Sequence, residues 1–307
     1  MLIIFGSINM DMVVRMDYMP QAGETVLCPD YDLLPGGKGA NQALAAARMG
    51  ARVALVGCAG DDGYSRHILD AIRRQGVITS GVAQSDRPTG CAFILQEDGG
   101  QNRIIVAAGA NSDATADQVP DEILRSGSMV LTQMELPADE VFLLIRRAHA
   151  RGVKIILNLA PAIALPDDIL SALHILVVNE IEIAQVAAKA GLTGGSHGEM
   201  ARAMARKGST TCIVTLGNKG SFVALPDGAA FHVSALPLEE VVDTTGAGDA
   251  YCGTLAACLY AGMTLEDSVC RASAAGSLAC AEKGTITAFA YQADIEKRLD
   301  EARVTQA

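Results

Sequence analysis

The chain opens on a short apolar run, Leu2 to Phe5, closed by Gly6. A run this brief, bounded by a turn residue, predicts a buried strand over 2–6. That strand leaves Asn9 and Asp11 just past its carboxyl end, where open α/β sheets bind ligands; both residue types also suit an ordinary turn. Extended apolar patterns at 12–17 and 24–34, punctuated by Pro20, Gly23 and Pro29, predict strands inserted after the first βα turn. Ala43 to Met49 reads as a helix with Gly50 as its C-cap. A strand at 52–58 and a helix at 62–75 follow. Two alternating runs, 89–97 and 101–107, meet at Glu97-Asp98-Gly99-Gly100 and predict a hairpin that joins the inserted strands. From residue 128 the pattern alternates: strands at 128–133, 153–158, 174–178 and 211–215, helices at 138–151, 167–172, 180–190 and 197–207. Such alternation predicts a parallel sheet covered by helices. A hairpin at 221–225 and 229–233 and helices at about 246–261, 265–281 and 292–302 close the chain.

Half of the 307 residues are hydrophobic, enough for one large α/β domain with an attachment or for two domains. A net charge of −11 repels polyanions, and no Lys/Arg run offers a site for acidic lipid, so nucleic acid and membrane are not expected partners. The N-terminus has no basic region before its short apolar run and reads as a strand rather than a signal peptide. No Cys-x-x-Cys or His-Glu-x-x-His spacing occurs; the eight scattered cysteines read as buried reduced thiols of a cytoplasmic protein.

Two stretches carry candidate chemistry. Asp243-Thr244-Thr245-Gly246-Ala247-Gly248-Asp249 precedes a run of small and apolar residues that reads as a helix, with Thr244 or Thr245 as the expected N-cap. Glycines at a helix mouth admit a ligand close to free N–H groups, and the helix dipole favours an anion there. Asp249, in that first turn, is placed to act as a general base toward a hydroxyl attacking the anion, or merely to complement the dipole. Pro35-Gly36-Gly37-Lys38-Gly39-Ala40-Asn41-Gln42 is a glycine-rich entry into the helix at 43–50. It is not a P-loop, since Gly39 follows Lys38 where Ser or Thr should bind Mg²⁺, and it lacks the G-x-G-x-x-G of dinucleotide sites. Lys38 and Asn41 are hydrogen-bonding candidates there. Glu135, Asn179 with Glu182, and Thr215-Leu216-Gly217 all follow predicted strands, at one edge of one sheet.

Taken together these stretches resemble the ribokinase (PfkB-type) family of carbohydrate and nucleoside kinases, over the whole chain. The resemblance rests on Gly36 to Gln42, on Asp243 to Asp249, on Asn179-Glu180-Ile181-Glu182 as an Asn-x-x-Glu motif, and on Thr215 to Gly220 as a nucleotide loop. It implies a three-layer αβα fold with a mostly parallel central sheet (1–11, 36–88 and 108–307) and a small β-sheet lid (12–35 and 89–107). It implies an ATP-dependent kinase acting on O5 of ribose, with another sugar or a nucleoside as the alternative acceptor. A non-catalytic sugar sensor on the same sheet is the competing class.

By that resemblance Asn9, Asp11, Gly37, Lys38, Gly39, Ala40, Asn41 and Glu135 hold the sugar. Asp249 is the base, and the N–H groups of Gly246, Ala247, Gly248 and Asp249 form the anion hole. Asn179, Thr215, Leu216, Gly217, Asn218, Lys219, Gly220, Gly248 and Ser273 flank the nucleotide, and Glu182 organises Mg²⁺ through water. Asp243, Thr245, Ala279, Glu282 and Gly284 surround a monovalent cation such as K⁺. Ala288 stands where the family has a serine ligand, and Ser273 where some relatives have histidine. The lid would exclude water and pair two subunits into a homodimer.

Overall fold

The computed structural model describes residues 1–97, 102–192 and 194–307. In chain order, β1 (Leu2–Phe5), β2 (Asn9–Met16) and β3 (Tyr31–Gly36) precede α1 (Lys38–Arg48), β4 (Val53–Gly60), α2 (Gly63–Arg73) and β5 (Ile78–Ser85). Then come β6 (Gly90–Glu97), β7 (Asn102–Ala107), β8 (Met129–Gln133), α3 (Ala138–Ala150), β9 (Lys154–Asn158), α4 (Asp167–Ala172) and β10 (Ile175–Asn179). They are followed by α5 (Glu180–Lys189), α6 (His197–Gly208), β11 (Thr211–Thr215), β12 (Ser221–Ala224) and β13 (Ala230–Val233). The chain ends with α7 (Ala247–Tyr260), α8 (Leu265–Ala279), α9 (Gln292–Glu296) and β14 (Val304–Gln306).

Ten strands form one sheet in the order β14-β13-β12-β11-β10-β9-β8-β1-β4-β5. The pairs from β11 through β1 to β5 are parallel, and β12, β13 and β14 add an antiparallel edge. Alternate residues of β1 feed two cores. Leu2 and Ile4 pack with α1, α2, α7 and α8, while Ile3 and Phe5 pack with α3 to α6. A strand buried on both faces is continuously apolar, which is why the opening run shows no alternation. No helix among the described residues is long and apolar enough to cross a membrane.

The strand order turns back at β1, which has β4 on one side and β8 on the other. The ends of β1, β8, β9, β10 and β11 therefore open on one crevice. A second sheet, β3-β2-β6-β7, stands apart from the first. The hairpin expected there is present as the antiparallel pair β6–β7; its tip at Asp98-Gly99-Gly100 lies outside the described residues.

Several boundaries differ from the sequence reading. Asn9 and Asp11 follow β1 as expected, but in a second strand rather than a turn: β2 is flanked by β3 and β6, and those ladders hold residues whose own preference is a turn. Residues 24–28 are not a strand. Two polar or short edge strands, β5 and β14, carry too little apolar pattern to be read in advance. Helix α1 starts at Lys38, not Ala43, so Gly39 to Gln42 are helical. Its glycines serve close packing: a Cβ on Gly39 would lie 2.4 Å from the carbonyl carbon of Gly6. Gly39→Ala is accordingly expected to cost about 1–3 kcal/mol and lower the melting temperature by several degrees. A melt superimposable on the wild type would show slack in the β1–α1 contact.

Candidate active site

Helix α1 enters through Gly37, whose φ of 88° lies in the left-handed region, and the turn brings its first residues against the end of β1. The N–H of Ala40 donates to the carbonyl of Ser7, and that of Gly39 points to Ser7 Oγ at 3.5 Å. Gly39 and Ala40 are thus spent on packing and carry no free group toward a sugar, contrary to expectation. Ser7 Oγ donates to Glu135 Oε2 at 2.6 Å, joining the ends of β1 and β8.

Asn41 and Gln42 reach α7. Asn41 Nδ2 donates to Asp249 Oδ2 at 3.0 Å and Gln42 Nε2 to Asp249 Oδ1 at 2.9 Å. The glycine-rich entry and the acidic helix mouth, about two hundred residues apart, are one site. Helix α7 begins after Gly246, not after a threonine N-cap: Gly246 has φ 76°, and a Cβ there would meet Phe289 and Thr285 within 3 Å. Asp243 organises the approach instead, its Oδ1 accepting from the Thr245 N–H and its Oδ2 from the Gly284 N–H. The Ala247 N–H donates to the Thr244 carbonyl, whereas those of Gly246, Gly248 and Asp249 donate to no acceptor among the described residues. The expected four-amide anion hole therefore keeps three free donors.

A cavity of about 230 Å³ lies over that helix mouth, lined by Lys38, Asn179, Glu182, Thr215, Gly248 and Asp249 among others. Lys38 also lines an adjoining cavity of about 590 Å³ with Asn111 and Glu135. A third, of about 280 Å³, is lined by Asp11, by Leu34 and Ile94 of the smaller sheet, and by Asp243 and Thr245. Asp11 lies flush on Gly36, where a Cβ would fall 2.2 Å from its carboxylate. Burial, with the Glu135 and Asp249 charges behind it, pushes the Asp11 carboxyl up to about 7, against the pull of Lys38. Burial also works against the charge of Lys38, but Asp249, Glu135 and Glu182 outweigh it and hold that ammonium above its usual range. Burial raises Glu182, opposed by the Asn179 N–H it accepts from and by Lys38.

Not every expected residue reaches a cavity. Asn9 is buried, its Oδ1 accepting from Asn111 Nδ2 at 2.7 Å, and Asn111 is the one that lines the opening. Of the Thr215–Gly220 loop, Thr215 lines the cavity over the α7 mouth; Leu216 packs on the core, and Gly217, Asn218 and Lys219 form a 3-10 turn toward Gly220. Ser273 is buried and donates to the Ser234 carbonyl. Asn179 and Glu182 form a capping box at α5 and still line the cavity. Residues missed from sequence are Ser7, Gln42, Asn111, Gln133 and Asn158, of which Gln42 alone had a signal, its place next to Asn41.

The sequence profile of the pfkB family carbohydrate kinases matches residues 1–290. The chain belongs to the pfkB family of carbohydrate kinases. Among pfkB relatives, it is 34% identical to the ribokinase of Haemophilus influenzae over 287 residues, covering 92% of this chain and 93% of that one. It is 34% identical to the ribokinase of Bacillus subtilis over 299 residues, covering 96% and 98%. The ribokinase of Thermotoga maritima superposes with a TM-score of 0.90 at 29% identity, over 97% of this chain and 99% of that one. An Arabidopsis thaliana ribokinase complexed with ribose and ATP superposes with a TM-score of 0.87 at 30% identity, over 97% and 98%.

Proposed function

We propose that the protein transfers the terminal phosphoryl group of ATP to O5 of D-ribose. The observation that carries this reading is the pair of hydrogen bonds from Asn41 and Gln42 to Asp249, which joins the sugar-side helix to the anion-side helix. Asp11 and Glu135 supply acceptors for sugar hydroxyls, with Lys38 and Asn41 as donors. Asp249 takes the proton from O5 as the new O5–P bond forms and the bond to the departing ADP oxygen breaks. The free N–H groups of Gly246, Gly248 and Asp249 face the charge on the transferred group, and Lys38 adds a cation beside it. Catalysis of this kind is mostly positioning and charge stabilisation, which these groups provide.

Among the described residues no cluster of three His, Cys, Asp or Glu could hold a metal directly. That fits Mg²⁺ carried by phosphate oxygens and water, with Glu182 and Asn179 as outer partners. When bound, Mg²⁺ would neutralise phosphate charge. Asp243 and the carbonyls of Thr245, Ala279, Glu282 and Gly284 are oxygen donors of the class that K⁺ takes, and Ala288 has no side-chain oxygen to add.

The lid fits a homodimer interface. Leu33, Met12, Phe93 and Ile105 lie in one register row across the small sheet, and Leu33, Phe93 and Ile105 are exposed, a row that a second copy would cover. The setting proposed is the cytoplasm.

An acceptor panel with ATP and Mg²⁺, run with and without K⁺, tests the reading. Ribose-dependent ADP formation, raised by K⁺, is expected. A strong preference for adenosine or cytidine would replace ribose as the acceptor, and a rate indifferent to K⁺ would remove that cation.

A further inference from the structure

Behind Asp249 lies a chain of buried amides that the transfer step does not use directly. Gln42 Nε2 donates both to Asp249 Oδ1 and, at 3.1 Å, to Asn158 Oδ1. Gln133 Nε2 donates to Gln42 Oε1 at 2.6 Å, and Asn158 Nδ2 points to the Val177 carbonyl at 3.4 Å. Gln42 and Gln133 are 0% and 1% exposed. The polarity of the chain has one source. An ionised carboxylate only accepts, so Gln42 must present its nitrogen to Asp249 and its oxygen to Gln133, which must then present nitrogen.

We propose that Gln42, backed by Gln133 and Asn158, is a positioning residue that fixes the Asp249 carboxylate toward the incoming hydroxyl. The inference rests on Asp249 being the base. Two observations separate this role from plain packing. Gln133 Oε1 has no hydrogen-bond partner among the described residues, a buried cost that an apolar side chain of the same shape would avoid. The same oxygen is pinned where a Cβ on Gly6 would fall, 2.2 Å away, so Gln133 is locked in place at the end of β8. A glutamine kept at such a cost, and aimed at the oxygen of Gln42, holds Gln42 in the orientation that donates. Asn41 already serves the other carboxylate oxygen, so Gln42 sets the rotation of the carboxylate plane.

The test compares kcat, ribose KM and the melting temperature for Gln42→Met, Gln133→Met, their double variant and Asp249→Asn. A hydrogen bond to a charged group is worth about ten- to a hundredfold, so Gln42→Met is expected to lower kcat by that factor with KM within about threefold. Gln133→Met should lower kcat by a smaller factor while melting within a few degrees of the wild type. The double variant should match Gln42→Met, because Gln133 acts only through Gln42. An unchanged kcat in Gln42→Met, or losses that simply multiply in the double variant, would overturn the relay while Asp249→Asn stays inactive. Full turnover in Asp249→Asn would instead remove the base assignment, and the relay with it. If Gln42→Met does not fold, Gln133→Met decides alone: a lowered kcat at a retained melting temperature supports the relay, and an unchanged kcat refutes it.

Discussion

Asp249→Asn is expected to lower turnover by about two to four orders of magnitude, the usual worth of a placed general base. The substitution preserves shape and leaves the free amides of the α7 mouth in place. What it removes is the proton acceptor, so the loss should fall on kcat, with the ribose KM within a few-fold of the wild type. The new amide must also meet the donors on Asn41 and Gln42, which held the carboxylate. A modest drop in melting temperature should follow, without loss of the circular dichroism spectrum. Coupled measurement of ADP release reads the result, and a rate equal to the wild type would end the assignment of Asp249.

Asp11→Asn should act on binding. As an acceptor for sugar hydroxyls Asp11 has to be ionised, yet in the free protein burial and the neighbouring carboxylates push it up to about 7. The wild-type kcat/KM for ribose should therefore fall about tenfold per pH unit below 7. Asp11→Asn should raise KM about a hundredfold, as expected for lost charged hydrogen bonds, and abolish that inflection. Stability carries the opposite sign. The folded carboxyl binds its proton more tightly than the unfolded one, so the penalty is absent below about pH 4, grows between 4 and 7, and is complete above 7. Removing the charge should stabilise the ligand-free protein by on the order of 2–4 kcal/mol at pH 8 and hardly at all at pH 4. Thermal melts at the two values check this, and equal shifts at both would refute the charge-burial account.

The alternating half of the chain was legible because its strands are buried on both faces and because α5 and α6 open on capping boxes at Asn179 and Ser196; β11 and α4 occupy the expected residues. The two glycine-rich motifs were legible as chemistry but not as conformation. Gly39 reads as loop on propensity, and only the 2.4 Å approach to Gly6 explains why a helix tolerates it. The threonines before α7 looked like caps, but the entry angle required a left-handed residue, which Gly246 supplies. Gln133 and Asn158 had no local signal at all. Their meaning comes from the ends of β8 and β9 lying side by side, a fact of the sheet order.

The site also has an order of birth. Asn41 and Gln42 wait for a partner 208 and 207 positions further on, and Thr285 Oγ1 donates to Pro35 across 250. During synthesis the first third of the chain emerges with buried-type amides and no acid to meet them, while β1 lacks β8 on one flank. Nascent chains halted before α7 should consequently depend on chaperones and fall to proteases, and ribosome release, rather than emergence of the first strands, should mark the moment at which the protein becomes resistant.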